Sequence, residues 1–262
     1  MNALEQAPVT RPREVERMRS RSRSRPPLFI ANWADALFLH YEIDADKLQP
    51  FVPFQLDLRD GGAFVSLVAF TMREMRFAKF GALGAWLCRP MATHEFLNLR
   101  TYVRHRDEVG ICFLAEWLPN RLSVWLGPLL YALPYRHAAI HYCREGTRMR
   151  GSVTARGGAF SYEGELDHDD FAECSPGSLD EFLLERYVAF NAGHFPSAES
   201  CAARRSFHVW HDAWPQTRAE IRVIETDLLR NTVPWWPHAK YVGANYSPGV
   251  RGVCMSAPRR IP

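Results

Sequence analysis

From Leu28 onward, apolar and polar positions alternate with period two along most of the chain. That is the pattern of strands whose successive side chains point to opposite faces. Leu37, Leu39, Tyr41 and Ile43 alternate with His40 and Glu42. Residues 63–72, Ala-Phe-Val-Ser-Leu-Val-Ala-Phe-Thr-Met, are apolar on both faces and predict a central strand covered on both sides. Ile111, Phe113, Ala115 and Trp117 alternate again. Residues 135–145 and 147–155 predict a hairpin around Gly146. Helices are fewer. A short one starts near Asp44 and stops before Pro50. Asn120 caps a segment with Leu122, Trp125, Leu126 and Leu129 on one side, which Gly127-Pro128 should kink or restart. Ser178 and Glu181 form a capping box, followed by Leu179, Phe182, Leu183, Tyr187 and Phe190 at helical spacing. Gly157-Gly158 and the Gly81/Gly84 pair read as turns. The balance is many antiparallel strands with a few helices, without repeats or a second-domain linker.

Residues 95–104, Glu-Phe-Leu-Asn-Leu-Arg-Thr-Tyr-Val-Arg, are the most informative stretch. In a strand, Leu97, Leu99, Thr101 and Val103 share one face, and Asn98, Arg100, Tyr102 and Arg104 share the other. An amide, a guanidinium and a phenol in register form either a wet outer face or the polar wall of a pocket. The segment Leu133-Pro134-Tyr135-Arg136-His137 adds a second cluster of polar groups just after a predicted helix.

A chain of 262 residues, 47% hydrophobic and 23% charged, can bury a sizeable core in one domain. The net charge of +3 is concentrated at one end. Residues 1–25 hold seven arginines against three glutamates, a sum of +4, so the body 26–262 is about −1. The Arg-Ser alternation of that tail predicts disorder, and its removal is expected to leave stability unchanged. No apolar run is long enough to span a bilayer, and no apolar signal core follows the charges at the start. Six scattered cysteines without a C-x-x-C pair point to free thiols in a reducing compartment, so a cytoplasmic protein is expected. Only Lys47, Lys79 and Lys240 are available for amine chemistry.

Other chemistries find little support. His208 and His211 would point to opposite faces of a strand, and His137 with His141 has no carboxylate at ligand spacing, so no metal or other cofactor is expected. G-x-S-x-G, P-loop and dinucleotide motifs are absent, as are basic patches with interleaved aromatics, so nucleic-acid and membrane partners are not expected. Homo-oligomerisation stays open.

Several of these segments carry a resemblance. Residues 41–56, residues 63–70, Asn98-Leu-Arg-Thr-Tyr-Val, Leu133-Pro-Tyr-Arg and Trp214-Pro together resemble the uncharacterised YqjF-like family, itself similar to acetoacetate decarboxylases. The likeness runs over roughly residues 28–250. It implies an α+β fold, acetoacetate-decarboxylase-like, in which a mostly antiparallel, barrel-like sheet encloses a pocket with a few helices outside. In those decarboxylases two lysines follow a proline, one forming a Schiff base and the other depressing its pKa so that the amine is free to attack. Here Pro134 is followed by Tyr135 and Arg136, and the family's pocket glutamate would fall near Ser66. Schiff-base chemistry is therefore not expected. The resemblance implies a pocket lined by Trp33, Ser66, Asn98, Arg100, Tyr102 and Tyr135. Arg100 would hold the carboxylate of a small anionic metabolite, with Tyr135 and Arg136 as catalytic groups. The sequence leaves three classes open: a lyase or isomerase of a keto or hydroxy acid, a non-catalytic binding protein, and an interaction protein with a filled barrel.

Overall fold

The computed structural model describes residues 12–192 and 204–261. Thirteen strands run through it: β1 (Pro27–Ile43), β2 (Gln55–Leu56), β3 (Ala63–Phe77), β4 (His94–His105), β5 (Glu108–Leu118), β6 (Tyr135–Glu145), β7 (Arg148–Ala155), β8 (Gly158–Leu166), β9 (Val188–Asn191), β10 (Arg205–Trp210), β11 (Thr217–Glu225), β12 (Lys240–Ser256) and β13 (Arg259–Arg260). Six α-helices accompany them: α1 (Pro12–Arg23), α2 (Ala45–Leu48), α3 (Gly81–Cys88), α4 (Arg121–Tyr131), α5 (Leu179–Leu184) and α6 (Asp227–Arg230). Among the described residues no helix is long and apolar enough to cross a membrane.

All strands belong to one sheet whose pairings close on themselves twice. One circuit runs β1-β3-β4-β5-β9-β10-β12 and back to β1. The other leaves β5 through β6, β7, β8 and β11 and rejoins at β12. The strands β12, β1, β3, β4 and β5 are common to both, so they form a wall with a core on each side. Leu37, Leu39, Val65, Leu67, Leu97 and Leu99 fill one core. Phe38, Val68, Phe70, Phe96 and Ile111 fill the other. The run 63–72 is apolar on both faces for this reason, and β3 is the central strand its pattern predicts.

Two of the sheet's β-bulges reset the alternation in the wall strands β1 and β5. In β1 an extra residue stands between Ala34 and Leu37, where Asp35 takes φ 53°, so Trp33 and Phe38 reach the same core. In β5 Leu99 pairs with Ala115 and Arg100 with Phe113, leaving Leu114 as the extra residue. Ile111 and Phe113 therefore face one core while Ala115 and Trp117 face the other.

The helical signals are realised with two differences. Asn120 accepts the Ser123 amide at 2.9 Å, and α4 continues through Pro128. Ser178 caps α5 at 3.1 Å, but α5 ends at Leu184, and Tyr187 and Phe190 continue into β9, which pairs with β10. The Glu185 carboxylate marks that change of direction by accepting from the Trp214 amide at 2.9 Å. Gly81 and Gly84 lie in α3 rather than in a turn. A Cβ on Gly84 would stand 2.6 Å from the Lys79 carbonyl oxygen, so glycine lets this helix sit against β3.

The expectation of disorder over residues 1–25 needs correcting for the part that is described. Residues 12–23 form α1, which docks on the body. Val15 and Met18 pack on Val109 and Tyr187. The Ser22 hydroxyl donates to the Tyr187 carbonyl at 2.8 Å and lies 3.1 Å from His208 Nδ1. Arg21 pairs with Glu108 at 2.8 Å, and Glu14 with Arg104 at 3.6 Å. Arg17, Arg21 and Arg23 are exposed on the solvent side of a helix whose other side buries Met18 and Ser22. Residues 1–11 of the tail lie outside the described residues.

Burial of Met18 and the bonds of Ser22 together are worth about 2–4 kcal/mol. Deletion of residues 1–25 is therefore expected to lower the melting temperature by at least about 4 °C, and Ser22→Ala alone to cost about 1 kcal/mol. Differential scanning calorimetry checks this, and an unchanged melting temperature on deletion would remove α1 from the folded body.

Candidate functional site

The wall strands bring polar groups into lateral rows. Asn98 on β4 stands beside Val68 on β3 and Glu116 on β5, and Glu116 beside Tyr135 on β6. Two residues along β4, about 7 Å, Arg100 stands beside Ser66, which pairs in turn with His40. The face carrying Asn98, Arg100 and Tyr102 is dry: all three are buried. The row is thus the wall of an interior, not a wet outer face.

That interior holds a cavity of about 510 Å³. It follows β4 from His94 through Phe96 and Asn98 to Arg100, a span of about 20 Å for six strand steps. Its walls are mostly apolar, with many aromatic rings. Trp33 stacks on Trp214 with centroids 5.9 Å apart, and Phe70 on Phe96 at 5.1 Å. At the His94 end, Leu87 and Met91 follow from α3 and its exit, and Leu126 and Leu130 come from α4. The cavity excludes the filled-barrel reading.

Arg100 closes the other end. Its Nη2 donates to the Leu183 carbonyl at 3.0 Å, and its guanidinium lies 5.4 Å from the centre of the Phe38 ring. Its Nε has no hydrogen-bond partner among the described residues. No carboxylate pairs with it there, and Arg186, the other arginine on this cavity, is already held by Asp57 at 2.8 Å. A guanidinium stays charged even where burial lowers its pKa, as it does here, so Arg100 is a desolvated cation lacking a counter-charge.

Behind Arg100 runs a buried chain of hydrogen bonds. The Tyr102 hydroxyl sits 2.6 Å from Ser66 Oγ and also reaches the Leu183 carbonyl at 2.9 Å. Ser66 Oγ lies 2.7 Å from His40 Nδ1, His40 Nε2 lies 3.1 Å from Asn245 Oδ1, and Asn245 donates to Gln216 at 2.6 Å. The Asn245 oxygen can only accept, which puts the histidine proton on Nε2 and makes Nδ1 the acceptor of the Ser66 hydroxyl. Burial, with Arg100 and Arg218 nearby, drives His40 down to about 3, so it stays neutral. The chain fixes the Tyr102 and Leu183 groups that hold Arg100.

The middle of the cavity carries an acid. Burial lifts the Glu116 carboxyl well above its usual value of 4.5, and its Oε2 has no partner among the described residues. Burial, then the Glu116 charge, pushes the neighbouring Tyr135 phenol up as well. Burial thus shifts both groups toward their protonated, proton-donating forms. The Tyr135 ring fits because position 127 is glycine: a Cβ there would stand 2.3 Å from ring carbons. At the far end, burial lowers His94 to about 4.

Of the residues the sequence singled out, Trp33, Asn98, Arg100 and Tyr135 line the cavity together. Ser66 and Tyr102 do not line it but form the chain behind Arg100. Arg136 is not brought into the cavity, because it follows Tyr135 directly on β6 and so takes the opposite face. Glu116, His94, His211 and Trp214 are cavity residues that alternation did not identify. Glu116 was hidden by the β5 bulge. The three lysines are exposed and none lines the cavity. Among the described residues no group of three or more His, Cys, Asp and Glu side chains could hold a metal ion.

Comparison with known proteins places this architecture. The chain is similar in structure to the acetoacetate decarboxylase of Legionella pneumophila subsp. pneumophila str. Philadelphia 1, with TM-score 0.63 and 12% identity over 91% of this chain and 88% of that one. An acetoacetate decarboxylase-like enzyme from Sphingomonas wittichii RW1 gives TM-score 0.64 and 15% identity over 90% and 94%. The enduracididine biosynthesis enzyme MppR, complexed with pyruvate, gives 0.59 and 13% over 90% and 91%. At such identities the likeness establishes the fold, which is acetoacetate-decarboxylase-like, sheet-dominated and barrel-like. In sequence, the uncharacterized protein YqjF of Bacillus subtilis (strain 168) is 32% identical over 108 residues, 40% of this chain, and the match spans 43% of that protein's length. A family model described as "Uncharacterized conserved protein" matches residues 30–251, and the chain belongs to that family, DUF2071.

Proposed function

We propose that the cavity binds a carboxylic acid with a keto or hydroxy group near the carboxylate and an apolar body, and that the protein acts on it as an isomerase or lyase without a Schiff base. The observation that carries this reading is Arg100: a buried cation with no carboxylate partner among the described residues, at the end of a cavity whose lining is mostly apolar. A ligand carboxylate would supply the missing charge and accept from the free Nε. The apolar body would lie along Phe96 toward α3 and α4.

With the carboxylate on Arg100, the adjoining carbon atoms fall near the row of Asn98, Glu116 and Tyr135, about 7 Å along the strand. Glu116, shifted by burial toward its neutral form, would give its proton to the keto oxygen, and the carboxylate so formed would take a proton from the neighbouring carbon, giving the enol and restoring the acid; the reverse transfers return the keto form. Tyr135 and the Asn98 amide would stabilise the oxygen that gains charge. The solved relatives support the class: one is a decarboxylase of a keto acid by name and another is complexed with pyruvate. No lysine lines this cavity, so the amine chemistry of decarboxylases is not part of the proposal.

The test is calorimetric titration with a series of 2-keto and 3-keto acids of increasing apolar length, followed by proton–deuterium exchange at the carbon next to the keto group in heavy water. Binding is expected to tighten with apolar length, and Arg100→Met is expected to weaken it by at least about tenfold while the fold is kept, since the apolar stem is retained. Binding with exchange that is lost in Glu116→Gln supports catalysis; binding without exchange makes the protein a carrier. Undiminished affinity in Arg100→Met would remove Arg100 from the site. Borohydride reduction with a bound keto acid should trap no adduct, and a covalent adduct at a lysine would overturn the mechanism.

Glu116 also fixes a pH dependence. Its folded pKa is raised, so the unfolded chain releases its proton above about 4.5 while the folded chain retains it. Its contribution to stability is full below that value and lost as pH rises toward the folded pKa. Glu116→Gln is therefore expected to gain in melting temperature relative to the parent as pH goes from 4.5 to 8. A difference that is flat with pH would show that the carboxyl is ionised in the folded protein.

A further inference from the structure

The helices at the His94 end of the cavity have apolar outer faces. On and beside α3, Phe80, Leu83 and Trp86 are exposed, and on α4 so are Leu122, Trp125 and Leu129. The two tryptophans are 66% and 64% exposed, far from the usual state of so large an apolar ring. The helices adjoin: the Asn120 side chain at the start of α4 donates to the Pro90 carbonyl just after α3 at 2.7 Å. Leu87 and Leu130 both line the cavity and are exposed, so they mark its mouth between the two helices.

The two segments that carry these helices hold charge of one sign. Residues 75–94 contain no aspartate or glutamate but include Arg76, Lys79 and Arg89. Residues 117–144 likewise contain none and include Arg121. Lys79, Arg89 and Arg121 are exposed at the edges of the apolar helices, and Arg205 donates to the Leu130 carbonyl at the end of α4.

We propose that this face docks on an anionic lipid bilayer, with Phe80, Trp86 and Trp125 inserted among the headgroups and Lys79, Arg89 and Arg121 against lipid phosphates. Large exposed aromatics flanked by basic residues and free of acids match an interface in which apolar chains lie under negative headgroups. A second copy of the chain fits less well. A two-fold contact would set the same cations against one another, with no acid in either segment to offset them. The placement of the cavity mouth between the inserted helices would let an amphiphilic ligand pass from the bilayer to Arg100. This is a peripheral contact and needs no spanning segment.

The test uses the full chain and does not depend on any ligand. Sedimentation is measured with vesicles of equal parts phosphatidylglycerol and phosphatidylcholine and with vesicles of phosphatidylcholine alone. Binding to the anionic vesicles is expected to exceed binding to the neutral ones by about tenfold, and to fall at higher salt. The double variant Trp86→Ser/Trp125→Ser is expected to lose about tenfold in vesicle binding with an unchanged melting temperature, since both side chains are exposed. The triple variant Lys79→Glu/Arg89→Glu/Arg121→Glu is expected to lose the preference for anionic vesicles. Absence of parent protein from both vesicle pellets would overturn the proposal. So would a concentration-dependent dimer that the tryptophan variant abolishes, which would assign the face to self-association.

Discussion

A strand buried on both faces has no wet side on which to place polar residues. The central stretches of the five strands shared by the two circuits of the sheet are in that position, with a separate core against each face. Every polar side chain on them must find a partner inside the protein or be left uncompensated, at a cost of order 1–3 kcal/mol for a neutral group and more for a charge. His40, Ser66, Tyr102 and Asn245 meet this requirement by bonding one another. Thr101, on the opposite face of β4, meets it by donating to the Phe64 carbonyl at 2.8 Å. Arg100, Asn98 and Glu116 each leave an atom unpaired, and all three face the same cavity. On these strands, among the described residues, the unmet bonds of His94 join those three on the cavity, and only those of His105 fall outside it.

The parts of this arrangement that follow from strand alternation were legible in the sequence. The division of residues 97–104 into Leu97, Leu99 and Val103 on one side and Asn98, Arg100 and Tyr102 on the other is the observed one. What alternation could not show is which positions carry an extra residue. The bulge at Leu114 turns Glu116 toward Asn98 and away from the face of Ala115 and Trp117, so the acid central to the site is invisible to a strict period of two. The bulge at Asp35 does the same for Trp33 and Phe38. Tyr187 and Phe190 followed helical spacing by coincidence, because one short apolar run serves the end of α5 and then β9. In α1, the spacing of Val15, Met18 and Ser22 is the only sign of a buried side, and the Arg-Ser composition obscures it.

The fold is that of acetoacetate decarboxylases, while the groups lining the cavity do not include a lysine. A Schiff base needs an amine in a dry pocket, and here the lysines stand in solvent. Tyr135 and Glu116 line the cavity instead, both shifted toward the protonated form by burial. Such groups donate protons and stabilise developing negative charge, and they cannot form an imine. The backbone shared with the decarboxylases therefore places the cavity, and the side chains on β4, β5 and β6 set the polar groups that line it.

Everything proposed for the site depends on Arg100 being a buried cation that awaits an anion at one end of an apolar cavity. A crystal structure of the protein with a bromine-terminated long-chain carboxylic acid tests this most directly, because anomalous scattering locates the far end of the ligand independently of the refined geometry. Carboxylate oxygens are expected within hydrogen-bond distance of Arg100 Nε, and the bromine peak among Leu87, Leu126 and Leu130. A carboxylate seated elsewhere, with Arg100 paired to an acid of its own chain, would contradict that role.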